Sequence, residues 1–226
     1  MWKFFYNFAE YMTYQTFVFD LDGTLLDTLD DLAASCNFAL QTHRMALRTR
    51  DEIRQFVGNG VEMLIRRAVP EGTPEEKVLE VLATFKEHYL VHGLDTTRPY
   101  EGIQEMLTEL KARGCRLAVV SNKFYKATQE LVAHFFGDTI SVAIGEHEAE
   151  GIRKKPAPDT VFEALHQLGV GKEGAVYVGD SDVDVETAKE CGIPCVSVLW
   201  GFRTKEFLQQ HGASCFVSSP MELTRV

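Results

Sequence analysis

The stretch that decides the fold lies at residues 16–28 and reads TFVFDLDGTLLDT. Its first four residues form a short apolar run rich in β-formers, which predicts a buried strand that ends at Asp20. Gly23 then permits a tight backbone turn. Because open α/β sheets hold ligands at the carboxyl ends of their strands, Asp20 and Asp22 are predicted to project into a site. An ordinary Asp-Gly turn, with Asp27 capping a helix, would explain the same residues.

Four further runs have the same apolar, β-rich character, at residues 115–120, 140–144, 175–178 and 195–199. Helical patterns separate these runs, with apolar residues three or four positions apart. Strands that alternate with helices of this length indicate βαβ crossovers and a parallel sheet. The predicted fold class is therefore α/β, a Rossmann-like parallel sheet core with helices on both faces.

Residues 29–96 break this alternation, because their apolar residues keep helical spacing throughout and form no strand run. They predict an all-α subdomain inserted after the first strand, with hinges near Asp27 and at residues 96–99. A second methionine, Met12, precedes the first strand, so residues 1–11 are expected to be an N-terminal extension or, alternatively, an interfacial anchor. The expected organisation is an extension at 1–11, a core at 12–28 and 97–226, and a helical insert at 29–96.

Composition and charge exclude several classes of protein. The chain has 226 residues, with 23 Lys and Arg against 33 Asp and Glu, a formal net charge of −10. Without a dense basic run, a surface of this charge disfavours nucleic acid as a partner. The chain has no apolar run of the roughly 18 residues needed to span a membrane. Its five scattered cysteines indicate free thiols in a reducing compartment, so a cytoplasmic location is expected.

Reactive residue types follow three other predicted strands or the loops beside them. Ser121 and Asn122 end the second strand, and Lys155 lies in the loop before the next helix. Asp180 and Asp184 follow the fourth strand. The strand ends of a parallel sheet meet at one edge, so acids, a hydroxyl and a lysine are expected to converge there. Ordinary turn chemistry does not explain such a convergence.

These four motifs, in this order, resemble those of the haloacid dehalogenase-like hydrolase superfamily, and the helical insert resembles its α-helical cap. The similarity runs from about Thr16 to the C-terminus. Shorter strings resemble the phosphoglycolate phosphatase branch, namely VGNG at residues 57–60, LIRRA at 64–68, PYEG at 99–102 and LWGF at 199–202.

The resemblance implies hydrolysis of a phosphomonoester through an aspartyl-phosphate intermediate. Asp20 would be the nucleophile, and Asp22 would protonate the leaving alkoxide and then deprotonate water. The phosphate oxygens would be held by Ser121, Lys155 and the backbone N–H groups of Leu21, Asp22 and Asn122. The expected substrate is a small phosphorylated metabolite.

The resemblance also implies a bound Mg²⁺, a hard cation that takes oxygen ligands. Its protein ligands would be Asp20, the backbone carbonyl of Asp22, and Asp180. Asp184 would lie behind them and orient either a metal-bound water or Lys155. The string Gly58-Asn59-Gly60 interrupts two helical patterns, so it is expected to be a cap loop that reaches the substrate or, as an alternative, a plain turn between helices.

Two rival functions stay open at this point. A sugar-phosphate mutase of the same superfamily would use the same two acids and the same type of cap. A non-catalytic module that binds phosphate or protein could share the fold, because fold does not determine function. Asp22 disfavours a dehalogenase and a phosphonate hydrolase, neither of which needs that carboxylate.

Several other charged residues are expected to have structural roles. Asp182 is expected to cap the helix after the fourth strand, and Asp30 and Asp31 to favour a helix N-terminus. The pair His88 and His92 is expected on a solvated face of the helical insert. Arg66 and Arg67 could face a substrate carboxylate or solvent.

Overall fold

The computed structural model describes residues 14–146 and 148–226, so the predicted extension at residues 1–11 lies outside the described residues. The helices and strands of the core and of the helical insert follow in chain order. They are β1 (Thr16–Phe19), β2 (Leu26–Asp27), α1 (Leu29–Thr42), α2 (Arg50–Phe56), α3 (Val61–Ala68), α4 (Glu75–His92), β3 (Arg98–Pro99), α5 (Ile103–Ala112), β4 (Arg116–Phe124), α6 (Tyr125–Phe136), β5 (Val142–Glu146), α7 (Asp159–Leu168), β6 (Ala175–Gly179), α8 (Asp182–Cys191), β7 (Cys195–Val198), α9 (Lys205–Gln210) and β8 (Phe216–Val217). Short 3₁₀ helices lie at Glu148–Glu150 and Pro220–Arg225.

The main sheet has six strands in the order β5-β4-β1-β6-β7-β8, and all its pairings are parallel. The chain builds outward from β1 on one side through β4 and β5, and then returns to the other side with β6. The strand order therefore reverses beside β1, which opens a crevice at the carboxyl ends of β1, β4 and β6. This reversal determines where the site lies.

Alternate residues of the central strands face the two sides of the sheet, as strand geometry requires. Phe17 and Phe19 pack with α5 and α6 in one apolar cluster, whereas Val18 packs with α7 and α8 in another. Burial on both faces explains why the strands are almost continuously apolar in sequence. The predicted α/β fold with helices on both faces is confirmed.

The helices α1 to α4 lie between β2 and β3, which pair antiparallel at the point where the chain leaves and re-enters the core. Their apolar sides pack on one another in a third cluster, to which Phe202 of the core also contributes. Thr49 starts α2 through a capping box with Glu52, and α3 ends just before Pro70, where proline disfavours a helical predecessor. We propose that residues 29–96 form a cap, with its boundaries at these junctions.

The strand bounds differ from the sequence prediction at a few points. β4 continues beyond Val120 to Phe124, with a register shift in its pairing to β5. The two-residue strands β2, β3 and β8 were not predicted, because two residues carry no periodic pattern. None of the five cysteines, all of which lie in the described ranges, forms a disulfide. Within residues 14–146 and 148–226, no helix is both long and apolar enough to cross a membrane.

Candidate active site

Three acids meet at the crevice beside β1. Asp20 directly follows β1, while Asp180 and Asp184 lie just after β6 and in the first turn of α8. One carboxylate oxygen of each lies within 4.8 Å of the others, and all three residues are buried. The convergence predicted for these residues is present, because parallel strands bring their carboxyl ends to one edge.

Lys155 lies at the centre of this cluster. Its Nζ donates to Asp20 Oδ1 at 2.6 Å, to Asp184 Oδ1 at 2.8 Å and to the Tyr177 hydroxyl at 2.9 Å. The Asn122 side chain holds the backbone of Lys155, donating to its carbonyl at 2.9 Å and accepting from its N–H at 2.8 Å. Asn122 therefore fixes the loop that carries this ammonium group.

Asp184 is held by its own helix terminus. Its Oδ2 accepts from the backbone N–H of Ser181 at 3.0 Å and from the Ser181 hydroxyl at 2.6 Å, which forms a capping box at the start of α8. The cap of this helix is thus Ser181, and the prediction that Asp182 caps it is wrong, because Asp182 is the first helical residue. Of the two roles expected for Asp184, the observed contact is the one with Lys155.

Asp180 is held by the loop that follows β7. Its Oδ2 accepts from the backbone N–H of Phe202 at 2.6 Å, and its Oδ1 accepts from the Thr24 hydroxyl at 3.3 Å. A Cβ on Gly23 or on Gly201 would overlap with the Asp180 side chain. Gly23 has a φ of +89°, so both its conformation and the close approach of Asp180 require glycine there.

The electrostatics of the cluster favour a cation. Burial raises the pKa of Asp180 to about 7, and the nearby charge of Asp184 adds to this shift. Burial likewise holds the pKa of Asp20 well above its usual range, against the opposing effect of Lys155. Three crowded, buried carboxylates have one ammonium among them, and oxygen donors of this kind are those that Mg²⁺ prefers. The residues present therefore fit a divalent cation.

Asp22 lies in the turn after β1 and is bound by a second lysine. Lys123 Nζ donates to both carboxylate oxygens of Asp22, at 3.0 and 3.1 Å. Burial alone would lower the pKa of Lys123, but Asp22 and Tyr89 together outweigh burial and raise that pKa above its ordinary value. Both side chains line the same crevice as Asp20, Ser121 and Lys155.

Two of the other residues expected to bind phosphate, Ser121 and Asn122, line the crevice. Ser121 lines the crevice, and its hydroxyl accepts from the backbone N–H of Lys123 at 3.2 Å. Leu21 buries its side chain in the core, so only its backbone can face a ligand. Asn122 lines the crevice as well, while its side-chain amide holds Lys155.

The predicted loop Gly58-Asn59-Gly60 divides in the structure. Gly58 and Gly60 line the crevice, and the Gly58 carbonyl accepts from Asn122 Nδ2 at 3.3 Å. Asn59 instead faces a neighbouring groove and accepts from Arg67 at 2.8 Å. Both glycines have positive φ, +127° at Gly58 and +85° at Gly60, which brings their backbone over the core.

Neither arginine of α3 lines the crevice. Arg66 forms ion pairs with Glu62 at 2.8 Å and with Glu75 at 2.5 Å. Arg67 donates to the Phe56 carbonyl at 2.7 Å as well as to Asn59. Both side chains therefore bind the helical insert itself.

The histidine pair of α4 is only half-exposed, which differs from the solvated face expected. His88 stacks on His92 with ring centroids 4.3 Å apart, and its Nδ1 lies 3.0 Å from the Ser35 hydroxyl. His92 in turn contacts Asp95 at 2.8 Å. Contacts of His88 with Ser35 and Phe38 of α1 account for its partial burial.

Sequence reasoning missed three residues of the site. Tyr177 is a polar group within a strand that is otherwise apolar, and Lys123 is a charged residue inside a strand, directly after Ser121 and Asn122. Both features could have identified them. Arg203 had no comparable signal. It donates to the carbonyls of Arg54 and Val57, both at 2.7 Å, and so connects the loop after β7 to the helical insert.

Comparisons with known proteins agree with this geometry. The family profile of haloacid dehalogenase-like hydrolases matches residues 17–198. A phosphoglycolate phosphatase of Aquifex aeolicus is 33% identical over 187 residues, which cover 82% of this chain and 84% of that protein. The phosphoglycolate phosphatase of Colwellia psychrerythraea is 34% identical over 211 residues, covering 89% and 92%.

A solved structure shows the same fold. This crystal structure comes from Lactobacillus delbrueckii subsp. bulgaricus, and its activity as a phosphoglycolate phosphatase is itself a prediction. It superposes with a TM-score of 0.87 at 35% identity, covering 94% of this chain and 98% of that one. The chain belongs to the haloacid dehalogenase-like hydrolase family, in its phosphoglycolate phosphatase-like branch.

Proposed function

We propose that this phosphatase hydrolyses a small phosphomonoester of the 2-phosphoglycolate class, with Asp20 as the nucleophile. The observation that carries the proposal is the buried contact of 2.6 Å between Asp20 Oδ1 and Lys155 Nζ at the carboxyl end of β1. A nucleophilic carboxylate needs to be held at one angle, and a phosphoryl group needs positive charge beside it. This pair supplies both.

In the first step, Asp20 attacks phosphorus while the bond to the leaving oxygen breaks. Asp22, in its protonated form, gives its proton to the departing alkoxide, which leaves as an alcohol. Lys155, Ser121 and the backbone N–H groups beside them stabilise the charge on the three peripheral oxygens. The product of this step is an acyl phosphate on Asp20.

In the second step, a water molecule attacks the phosphorus of the acyl phosphate. Asp22, now a carboxylate, takes a proton from that water, and the bond between phosphorus and Asp20 breaks. Inorganic phosphate leaves, and Asp20 and Asp22 return to their starting states. One acid thereby serves both half-reactions.

Mg²⁺ would be held by Asp20, Asp180 and the backbone carbonyl of Asp22. When bound, it supplies further neutralisation of phosphate charge. The raised pKa values of Asp20 and Asp180 support a cation at this position, because burial penalises their charged forms. The hydrogen bonds to Phe202 and Thr24 support Asp180 as an oriented ligand.

A small substrate is supported by what covers the crevice. The helical insert contributes Leu32, Val61, Leu64 and the backbone of Gly58 and Gly60 to its lining. These groups are apolar or backbone, so they exclude water from the leaving group. The phosphoglycolate phosphatases among the relatives suggest the substrate class.

The test is phosphate release from a panel of phosphorylated metabolites that includes 2-phosphoglycolate, with Mg²⁺ present. We expect Asp20→Asn to lose turnover entirely while its melting temperature stays close to that of the wild type. Asp138→Asn is the matched control, because Asp138 is exposed in the turn that follows α6. Mass spectrometry of an acid-quenched wild-type reaction should find the phosphoryl group on Asp20.

Near-normal turnover by Asp20→Asn would refute the covalent mechanism. The same panel also tests the mutase alternative, because a mutase would isomerise a sugar phosphate without releasing phosphate. If the protein binds phosphorylated compounds but turns over none of them, the remaining alternative is the non-catalytic binding module.

A further inference from the structure

A buried lysine on the crevice, Lys123, has no part in the mechanism above. Its side chain is 1% exposed, yet it carries a full ammonium group. The Nζ atom binds both oxygens of Asp22, at 3.0 and 3.1 Å. A buried charge is costly unless a partner compensates it, so this pair is held together strongly.

The second neighbour of Lys123 comes from the helical insert. Its Nζ lies 4.5 Å from the centre of the Tyr89 ring, in α4, within the range of a cation–π contact. Tyr89 is itself 2% exposed and stacks on Phe85 of the same helix. The ammonium therefore lies between an acid of the core and a ring of the insert.

We propose that Lys123 is a positioning residue for Asp22, and that it holds this carboxylate for proton transfer while α4 packs against it. This inference rests on the proposed function. Asp22 lies in a turn and is partly exposed to the crevice, so its side chain needs a partner to fix its rotation. Two bonds to one ammonium group fix it, since both carboxylate oxygens are held at once.

Lys123 lines the crevice, but both hydrogen bonds of its Nζ go to Asp22. Its backbone N–H donates to Ser121 Oγ, and its carbonyl lies 3.3 Å from the Thr128 hydroxyl, which donates to it. The main chain is thus fixed on both sides, and the ammonium points at Asp22. Lys123 acts on the substrate through Asp22.

The test measures kcat/KM for a series of phosphate esters whose leaving groups range from p-nitrophenol through phenol to an alkyl alcohol. Departure of p-nitrophenolate needs no proton, whereas departure of an alkoxide does. We expect Lys123→Met to lose about a hundredfold on the alkyl ester and less than about fivefold on p-nitrophenyl phosphate. Methionine keeps a linear apolar chain of similar length, so the buried volume is retained.

A double variant separates positioning from an independent role. If Lys123 acts through Asp22, adding Lys123→Met to Asp22→Asn should cost less than about threefold further. A full additional loss would overturn the proposal, and so would a rise in KM confined to substrates that carry a carboxylate. Either result would mean that Lys123 contacts the substrate itself.

A further variant tests the contact between Lys123 and Tyr89 of the helical insert. Tyr89→Leu removes the ring. The ratio of kcat/KM for p-nitrophenyl phosphate to kcat/KM for the alkyl ester should then rise by about threefold to thirtyfold, the range of one cation–π contact. Phe85→Leu is the matched control, since it alters the same apolar cluster without touching Lys123. Equal effects of the two would refute the coupling between α4 and Asp22.

Failure of the inference is distinguishable from failure of the proposed function. If Asp22→Asn itself leaves the leaving-group dependence unchanged, Asp22 is not the general acid and the proposed mechanism is wrong. If Asp22→Asn steepens the dependence of kcat/KM on the leaving group and Lys123→Met does not, only the positioning role of Lys123 is refuted. Thermal melts of each variant show whether it is folded.

Discussion

Removing the carboxylate of Asp31 should destabilise the junction between the helical insert and the core. Asp31 lies in the first turn of α1 and is 3% exposed. Its oxygens accept from the backbone N–H of Thr96 at 3.0 Å, from the Thr96 hydroxyl at 2.6 Å and from the backbone N–H of Thr97 at 2.8 Å. The side chain thus connects the two places where the chain crosses between the core and the insert.

The expected magnitude follows from which donors water can reach. Thr96 is exposed, so water can replace the bonds it loses in Asp31→Ala. Thr97 is buried, and an orphaned buried N–H costs about 1–3 kcal/mol. With the loss of charge-assisted bonds added, we expect the free energy of unfolding to fall by about 3 kcal/mol.

Urea unfolding followed by circular dichroism and by tryptophan fluorescence measures this loss, with coincident transitions as the condition for a two-state analysis. Asp30→Ala is the matched control in the same helical turn. Asp30 is 48% exposed and pairs with Arg50 at 2.5 Å, and exposed pairs contribute at most about 1 kcal/mol. A loss below about 0.5 kcal/mol in Asp31→Ala, or equal losses in the two variants, would refute the reasoning.

The difference between wild type and Asp31→Ala should also depend on pH. Burial alone would raise the pKa of Asp31, but the hydrogen bonds from Thr96 and Thr97 outweigh burial and hold that pKa below its ordinary value. A depressed pKa means that the carboxylate stabilises the fold above its unfolded-state pKa of about 3.9. The difference should therefore be full at neutral pH and shrink as pH falls through that range.

Two further predictions concern the crevice. Gly58→Val should lower kcat/KM for the natural metabolite far more than for p-nitrophenyl phosphate, because the backbone at Gly58 lies over the core at a φ of +127°. Gly72→Val, at a φ of +79° in open space, is its control, and equal losses on both substrates would contradict a role in substrate binding. With metal ions removed by a chelator, the melting temperature should fall as pH rises from about 5 to 8. The pKa of Asp180 is raised to about 7, so in this range the folded state binds a proton that the unfolded state does not, and rising pH removes it. Mg²⁺ should remove this fall, and its persistence unchanged in Asp180→Asn would show that another group causes it.

Local sequence was sufficient to predict the core of the fold and the convergence of Asp20 and Asp180 at one edge of the sheet. The run at residues 16–19 is apolar and β-rich, and the strand it predicts is present as β1. Asp20 and Asp180 could be placed at one edge from sequence, because a parallel sheet brings the carboxyl ends of its strands together. This placement does not depend on side-chain conformation. The helical insert was likewise evident, since helical spacing extends over a long segment without interruption by a strand.

Partners that join distant segments could not be predicted in the same way. Asp31 was interpreted only as a favourable charge at a helix N-terminus, and that position in α1 is correct. Its bonds to Thr96 and Thr97 cross 65 and 66 positions of the chain, and no local pattern encodes them. The same holds for Asp22 and Lys123, which are 101 positions apart.

The tertiary structure alone decided which acid meets which base. Asp184 could have oriented a bound water or Lys155, and the two alternatives are identical in sequence. Packing of α8 against β6 and the capping box at Ser181 turn its Oδ1 toward Lys155 and Tyr177. The positions of strands and helices follow from the hydrophobic periodicity and the turn residues, and both can be recognised in the sequence. The direction of one carboxylate depends on how several elements pack at once, and only the folded chain determines it.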